Sequence, residues 1–212
     1  LVKEGHNVIL AVIDVRSFRR KRKWGFESLN KDGVQIEVIN IPCGRIPEFI
    51  LNNVRIWGLK KLYENIKSKY GKPDIIHAHF LQYGYVSTCV FAEKQIPLVL
   101  TEHLSAMNQK ILNSKLMRLG KKTYSKMGKV ITVSNPLAEN IKEKFGVEAV
   151  VIPNIVDTTS FIYKDKKTKN NSFNFVSTGG LIERKGMNLL IEAFNIAFKG
   201  NDPIQGSHSE SF

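Results

Sequence analysis

Apolar and polar residues follow two periods along this chain, and the periods take turns. Short apolar runs at Asn7–Ile13, Val34–Ile41, Asp74–Phe80, Ile96–Glu102, Lys129–Ser134 and Val147–Ile152 have the length and composition of buried strands. Between them, Val54–Tyr70 places Ile56, Leu59, Leu62, Tyr63 and Ile66 at helical spacing, with Lys60, Lys61, Lys67 and Lys69 mostly opposite. Gly84–Lys94, Ile111–Met127 and Pro136–Phe145 read as further helices, the last with proline in its first turn. Regular alternation of strand and helix predicts the α/β class and a Rossmann-like, doubly wound parallel sheet.

The two ends of the pattern are irregular. Leu1–Gly5 reads as the last turn of a helix with Gly5 as its cap. A helix feeding a parallel strand implies an earlier strand, so the expectation is that this strand is missing ahead of Leu1. Residues 1–157 are then one domain, and the lysine- and asparagine-rich stretch 158–172 is a linker. From Phe173 a strand (Phe173–Ser177), a turn (Thr178–Gly180) and a charged loop lead into a helix with Leu189, Leu190, Ala193, Phe194 and Ala197 on one face. One strand and one helix cannot close a sheet, so 173–199 is expected to be the start of an incomplete second Rossmann-like domain. The tail 200–212 has no period and reads as a truncation product or non-native sequence.

Charge changes this picture more than composition does. The apolar content of 42% is that of a globular protein, but the net charge is +13 and clustered. Arg16–Lys23 holds six basic residues, and Lys110–Lys129 holds seven with no acid among them. Two readings stay open: a solvated surface, or an anionic partner such as nucleic acid, lipid or substrate. A nucleic-acid-binding module rests on the charge alone, because no helix-turn-helix, zinc finger or RNP motif accompanies it. The longest apolar run, Val8–Ile13, is too short to span a bilayer. Cys43 and Cys89 lie in separate segments without metal spacing, which suits a reducing compartment and a cytoplasmic location.

Candidate chemistry follows from the architecture. Open α/β sheets bind ligands beyond the carboxyl ends of their strands, which selects His79, His103, Ser134 and Asn154, with Thr178–Gly180 in the second unit. His77 and His79 alternate on one strand without a completing cysteine or HExxH, which argues against zinc. His103 follows an apolar strand, and a histidine side chain can donate or accept a proton at neutral pH, so it is either a catalytic group or a capping residue. Gly179 and Gly180, with Arg184 and Lys185 nearby, form either a plain βα turn or a phosphate site ahead of a helix.

Six segments in order then resemble family 4 glycosyltransferases of the GT-B fold: LVKEGHNV, PDIIHAHF, IPLVLTEH, KVITVSNPLAENIKEKFGV, VVIPNIVDTTSF and STGGLIERKGMNLLIEAF. The resemblance implies two facing Rossmann-like domains, a nucleotide-sugar donor, a glycan or lipid-linked acceptor, retention of anomeric configuration, and no cofactor or essential metal. It places Lys185 at the donor diphosphate, His103 near the transferred sugar, and Asn154 in a turn where Ile155 replaces the family's glycine. The family's arginine falls on Gly180, and Arg184 is the candidate to supply its charge. Elements the family carries before Leu1 and after Phe212 are absent, so this stretch alone is expected to be inactive. Family members act at membranes, which implies polysaccharide or glycolipid synthesis, peripheral on the inner membrane face, and no nucleic acid. An epimerase or phosphorylase of the same fold is the alternative, since fold does not fix reaction.

Overall fold

Eight residues from Ile9 to Arg16 form the first strand, β1, preceded by a 3-10 turn at Val2–Glu4. Gly5 closes that turn at φ 84°, the left-handed conformation its expected cap role demands. The computed structural model describes residues 1–17, 23–44, 46–159 and 175–199, with the side chain of Arg184 outside that set. The chain divides into two compact units, Leu1–Asp157 and Thr158–Phe212.

In the first unit the expected alternation is present, and its strands sort into two hydrogen-bonded sheets. The first has the order β1-β3-β2, with β2 at Gly25–Lys31 and β3 at Val34–Pro42. β1 and β3 pair in parallel, and β2 pairs antiparallel with β3. β2 was not expected: it follows the basic stretch Arg16–Lys23, and Glu27, Ser28 and Asn30 give it no apolar run. Asp32 (φ 52°) and Gly33 (φ 78°) make the two-residue turn that joins Lys31 to Val34. Two successive left-handed residues match the twist of a hairpin, so Asp-Gly sets this register.

The second sheet has the order β4-β5-β6-β7 and is parallel throughout: Ile76–His79, Leu98–Glu102, Lys129–Thr132 and Ala149–Val151. Between these strands run α2 (Phe80–Phe91), α3 (Ser114–Tyr124) and α4 (Asn135–Phe145). Ala78, Leu100 and Val130 point from the sheet into one core with Leu81, Tyr124, Leu137 and Ile141 of the helices. Leu100 and Ile141 are fully buried, each worth about 1.5–3 kcal/mol against exposure.

Helix α1 (Glu48–Tyr70) begins six residues earlier than its apolar period, after Pro47, and Glu48 in its first turn pairs with Arg55 at 2.9 Å. Its Leu62 and Ile66 pack on Ile39 and Ile41 of β3, while Tyr63 packs with Val90, Phe91 and Leu98. α1 therefore serves cores on both sheets. Gly58 makes this close seating possible: a Cβ there would meet Ile41 Cδ1 at 2.7 Å.

In the second unit α5 spans Met187–Phe198, in agreement with its period. The expected strand Phe173–Ser177 is not formed over its described part, Phe175–Ser177. A strand needs a partner for its backbone groups, and no paired strand exists among the described residues of this unit. Instead the Phe175 ring packs edge-on against Phe194 and tilted against Phe198 of α5, at 5.2 and 5.7 Å between ring centres. Residues 160–172 of the expected linker, Phe173 and Asn174, the basic stretch 18–22 and the tail 200–212 lie outside the described residues.

Candidate active site at the strand ends

The carboxyl ends of β4 and β5 bring three imidazoles together. His77 and His79 stack at 4.5 Å between ring centres, and His79 stacks on His103 at 5.4 Å. His79 Nδ1 and His103 Nε2 share a hydrogen bond of 3.1 Å. His77 Nε2 is bonded to Thr101 Oγ1 at 2.7 Å. A hydrogen bond between two imidazoles needs one donor and one acceptor, so the pair cannot hold it with both rings protonated. Partial burial, then the charges of His79 and His103, holds His77 below its ordinary value. Burial and then His103 lower His79 in the same way. Both shifts favour neutral rings at His77 and His79.

His103 owes its position to the residue before it. Glu102 shares its side of the strand with Leu98 and Leu100, and its side chain is fully buried. One carboxylate oxygen accepts from the backbone N–H groups of His103 (3.0 Å) and Leu104 (2.8 Å). The other accepts from the Tyr124 hydroxyl at 2.8 Å. Burial raises the Glu102 carboxyl, against the opposing pull of these donors. Burial and the carboxylate also push the Tyr124 phenol well above its ordinary range. The chain leaves β5 under this clamp, which fixes where the imidazole begins. Phe80, directly after His79, is held at φ 65° with its ring 5.0 Å from His103. A bulky residue at positive φ is a strained backbone point, and here it lies beside the cluster.

Ser134 and Asn154 extend the same rim. Ser134 is the N-cap residue of α4, after β6; its carbonyl accepts from Thr132 Oγ1. Asn154 lies exposed in the loop after β7. The sheet order therefore sets His79, His103, Ser134 and Asn154 along the ends of β4, β5, β6 and β7. Sequence reading named these four and missed the Glu102–Tyr124 clamp. The signal was a carboxylate in phase with the core-facing leucines of its strand. Among the described residues no cluster of three or more His, Cys, Asp or Glu is arranged to hold a metal ion.

The other expected residues lie in the second unit. Lys185 closes a 3-10 turn, Glu183–Lys185, and is exposed. The left-handed residue of this loop is Gly186, at φ 63°, rather than Gly179 or Gly180. A Cβ at Gly179 would meet Met187 Cε at 2.9 Å, a flexible side-chain end that can move aside, and Lys185 Cδ at 3.9 Å. Gly180 has open surroundings, and its carbonyl accepts from the Ile182 N–H at 2.8 Å.

A four-stranded parallel sheet with helices between its strands belongs to the Rossmann-like α/β class. More particularly, the chain belongs to Glycosyltransferase Family 4, whose family model matches residues 1–160. No curated protein matches the sequence. Among solved structures it is similar to sucrose-phosphate synthase from Thermosynechococcus elongatus, at 14% identity over 72% of this chain and 92% of that chain, with a TM-score of 0.47. It is also similar to alpha,alpha-trehalose 6-phosphate synthase from Burkholderia multivorans, at 8% identity over 69% of this chain and 48% of that one, TM-score 0.44. No helix among the described residues is long and apolar enough to cross a membrane.

Proposed function

We propose that this glycosyltransferase moves a hexose-like sugar from a nucleotide-sugar donor to a glycan or lipid-linked acceptor, with retention of anomeric configuration. The observation that carries the reading is the His79–His103 pair, with His103 held just after β5 by the buried Glu102, in a family 4 chain. His103 is the catalytic residue of this reading: its imidazole lies against the transferred sugar and exchanges a hydrogen bond with it at neutral pH. His79, Ser134 and Asn154 line the strand-end rim beside it, as the cleft-facing residues of this reading. Lys185, with Arg184 and the Gly179–Gly180 backbone, neutralises the charge that builds on the departing nucleoside diphosphate. In this reading the two units are the halves of a GT-B enzyme that uses no cofactor or metal. The protein works in polysaccharide or glycolipid synthesis, peripheral on the inner face of an anionic membrane.

The exposed cations of α3, Lys115, Arg118, Lys121 and Lys122, support the membrane part, since each such charge near an anionic bilayer adds about 1 kcal/mol. A panel of radiolabelled nucleoside-diphosphate sugars, with anomeric configuration of the product read by NMR, tests the chemistry. Transfer with retention is expected. An inverted product, or free epimerised sugar nucleotide without transfer, overturns it.

A further inference from the structure

An aromatic groove lies on the first sheet, where the start of β2 pairs with the carboxyl end of β3. It sits between the edge strand β2 and α1, has a volume of about 180 Å³, and is lined by Trp24, Phe26, Ile39, Ile41, Trp57 and Lys61 among others. Phe26 pairs with Ile39 across the hairpin, so its ring stands on the face that α1 covers. α1 covers β3 and reaches β2 through Lys69, which donates to Ser28 Oγ at 2.8 Å, while the rings nearer Gly25 stay in water. Trp24 is 67% exposed, Phe26 52% and Trp57 47%. Three large aromatics left open together are costly in water and need a partner that wets one end and not the other.

Charge decides which partner. Lys61, one turn beyond Trp57 on α1, is at the groove mouth, and Lys23 immediately precedes Trp24. The nearby carboxylate, Glu27, is already engaged by Lys23 at 3.1 Å and Asn40 at 3.5 Å. The sequence just ahead of Lys23 carries five further basic residues, in a chain of net charge +13. Tryptophan rings flanked by lysines match the boundary between anionic headgroups and acyl chains.

We propose that this groove is the point at which the protein seats itself on an anionic lipid bilayer. Trp24, Phe26 and Trp57 enter the headgroup boundary, and Lys61 and Lys23 meet the lipid phosphates. The inference deepens the membrane part of the proposed function and does not depend on the transfer chemistry, which a soluble acceptor reads separately.

Trp24 and Trp57 are the only two tryptophans of the sequence, so intrinsic fluorescence reports on this groove alone. Vesicles of equal parts phosphatidylglycerol and phosphatidylcholine are expected to shift the emission to shorter wavelength, with quenching by bromine-labelled acyl chains and reversal at high salt. Phe26→Ser is expected to weaken vesicle affinity about tenfold. Lys61→Glu, at an exposed site that leaves folding intact, is expected to weaken it at least about fivefold. Co-sedimentation without any emission change places the membrane contact elsewhere and overturns the groove while leaving the membrane reading standing. An equal shift with pure phosphatidylcholine overturns the role of charge. A shift that appears without lipid as protein concentration rises shows a second copy covering the groove, and overturns the proposal.

Discussion

Two carboxylates are fully buried in the first unit, and they sit in opposite electrical surroundings. Glu37 on β3 meets a cation: Lys69 Nζ donates to it at 2.9 Å, with Tyr70 at 2.7 Å, Ser28 at 2.7 Å and Asn65 at 3.4 Å. Glu102 on β5 meets only neutral donors, two backbone N–H groups and the Tyr124 hydroxyl. Burial pushes both carboxyls up. At Glu37 the hydrogen bonds of Lys69, Tyr70 and Ser28, with the Lys69 charge, outweigh it and the net shift is downward; at Glu102 burial wins. The difference teaches what each is for. Glu37 ties the β2–β3 hairpin to the end of α1 and touches nothing on the strand-end rim. Glu102 clamps the backbone from which His103 projects.

The largest expected effect breaks the neutral clamp. Glu102→Ala leaves the buried Tyr124 hydroxyl and two part-buried backbone N–H groups without an acceptor and is expected to cost about 3 kcal/mol in chemical denaturation. Because His103 loses its anchor, the imidazole resonances of His79 and His103 should move as well. A stability loss with those resonances unchanged would separate the clamp from the site.

Lys69→Met comes next. Its side chain is 38% exposed and three other donors stay on Glu37, so about 1–2 kcal/mol is expected, with the His resonances unmoved. A loss as large as that from Glu102→Ala would mean that the cation dominates the site after all.

Much of this comparison was hidden from the sequence. The strand IPLVLTE and the histidine after it were legible because a run of apolar residues ends in polar ones at a strand terminus. Helix α3 was legible as a basic amphipathic segment, although its start moved to Ser114 because the Asn113 side chain caps it, accepting from Leu116 N–H at 2.8 Å. The partners of the two carboxylates were not legible. Tyr124 lies 22 residues from Glu102, and Lys69 lies 32 from Glu37. Such pairs form only once helix and sheet are stacked. β2 was missed for another reason: its strand carries Glu27, Ser28 and Asn30, so composition hid it, and the Asp32-Gly33 turn was the signal to use.

The smallest effect sharpens the contrast by sign. Glu37 has a folded value below its ordinary 4.5, so the unfolded chain binds more protons, and its stabilisation is lost as pH falls from 4.5 through the folded value. Glu102 has a folded value above 4.5, so its contribution is full below 4.5 and is lost as pH rises through the folded value. Subtracting the pH–stability curve of Glu37→Gln from that of the wild type should leave a difference that rises with pH. The same subtraction with Glu102→Gln should leave one that falls. Slopes of the same sign would erase the distinction.

The account turns on the rim that Glu102 holds being where sugar is transferred. The direct measurement is the rate of sugar transfer from a nucleotide-sugar donor by His103→Ala and by Lys69→Met beside the wild type. The account predicts a loss of at least about a hundredfold for His103→Ala, at the low end of the range for general acid–base groups. Lys69→Met should stay within about twofold at a temperature where it is folded. Transfer by a folded His103→Ala protein at the wild-type rate would contradict it.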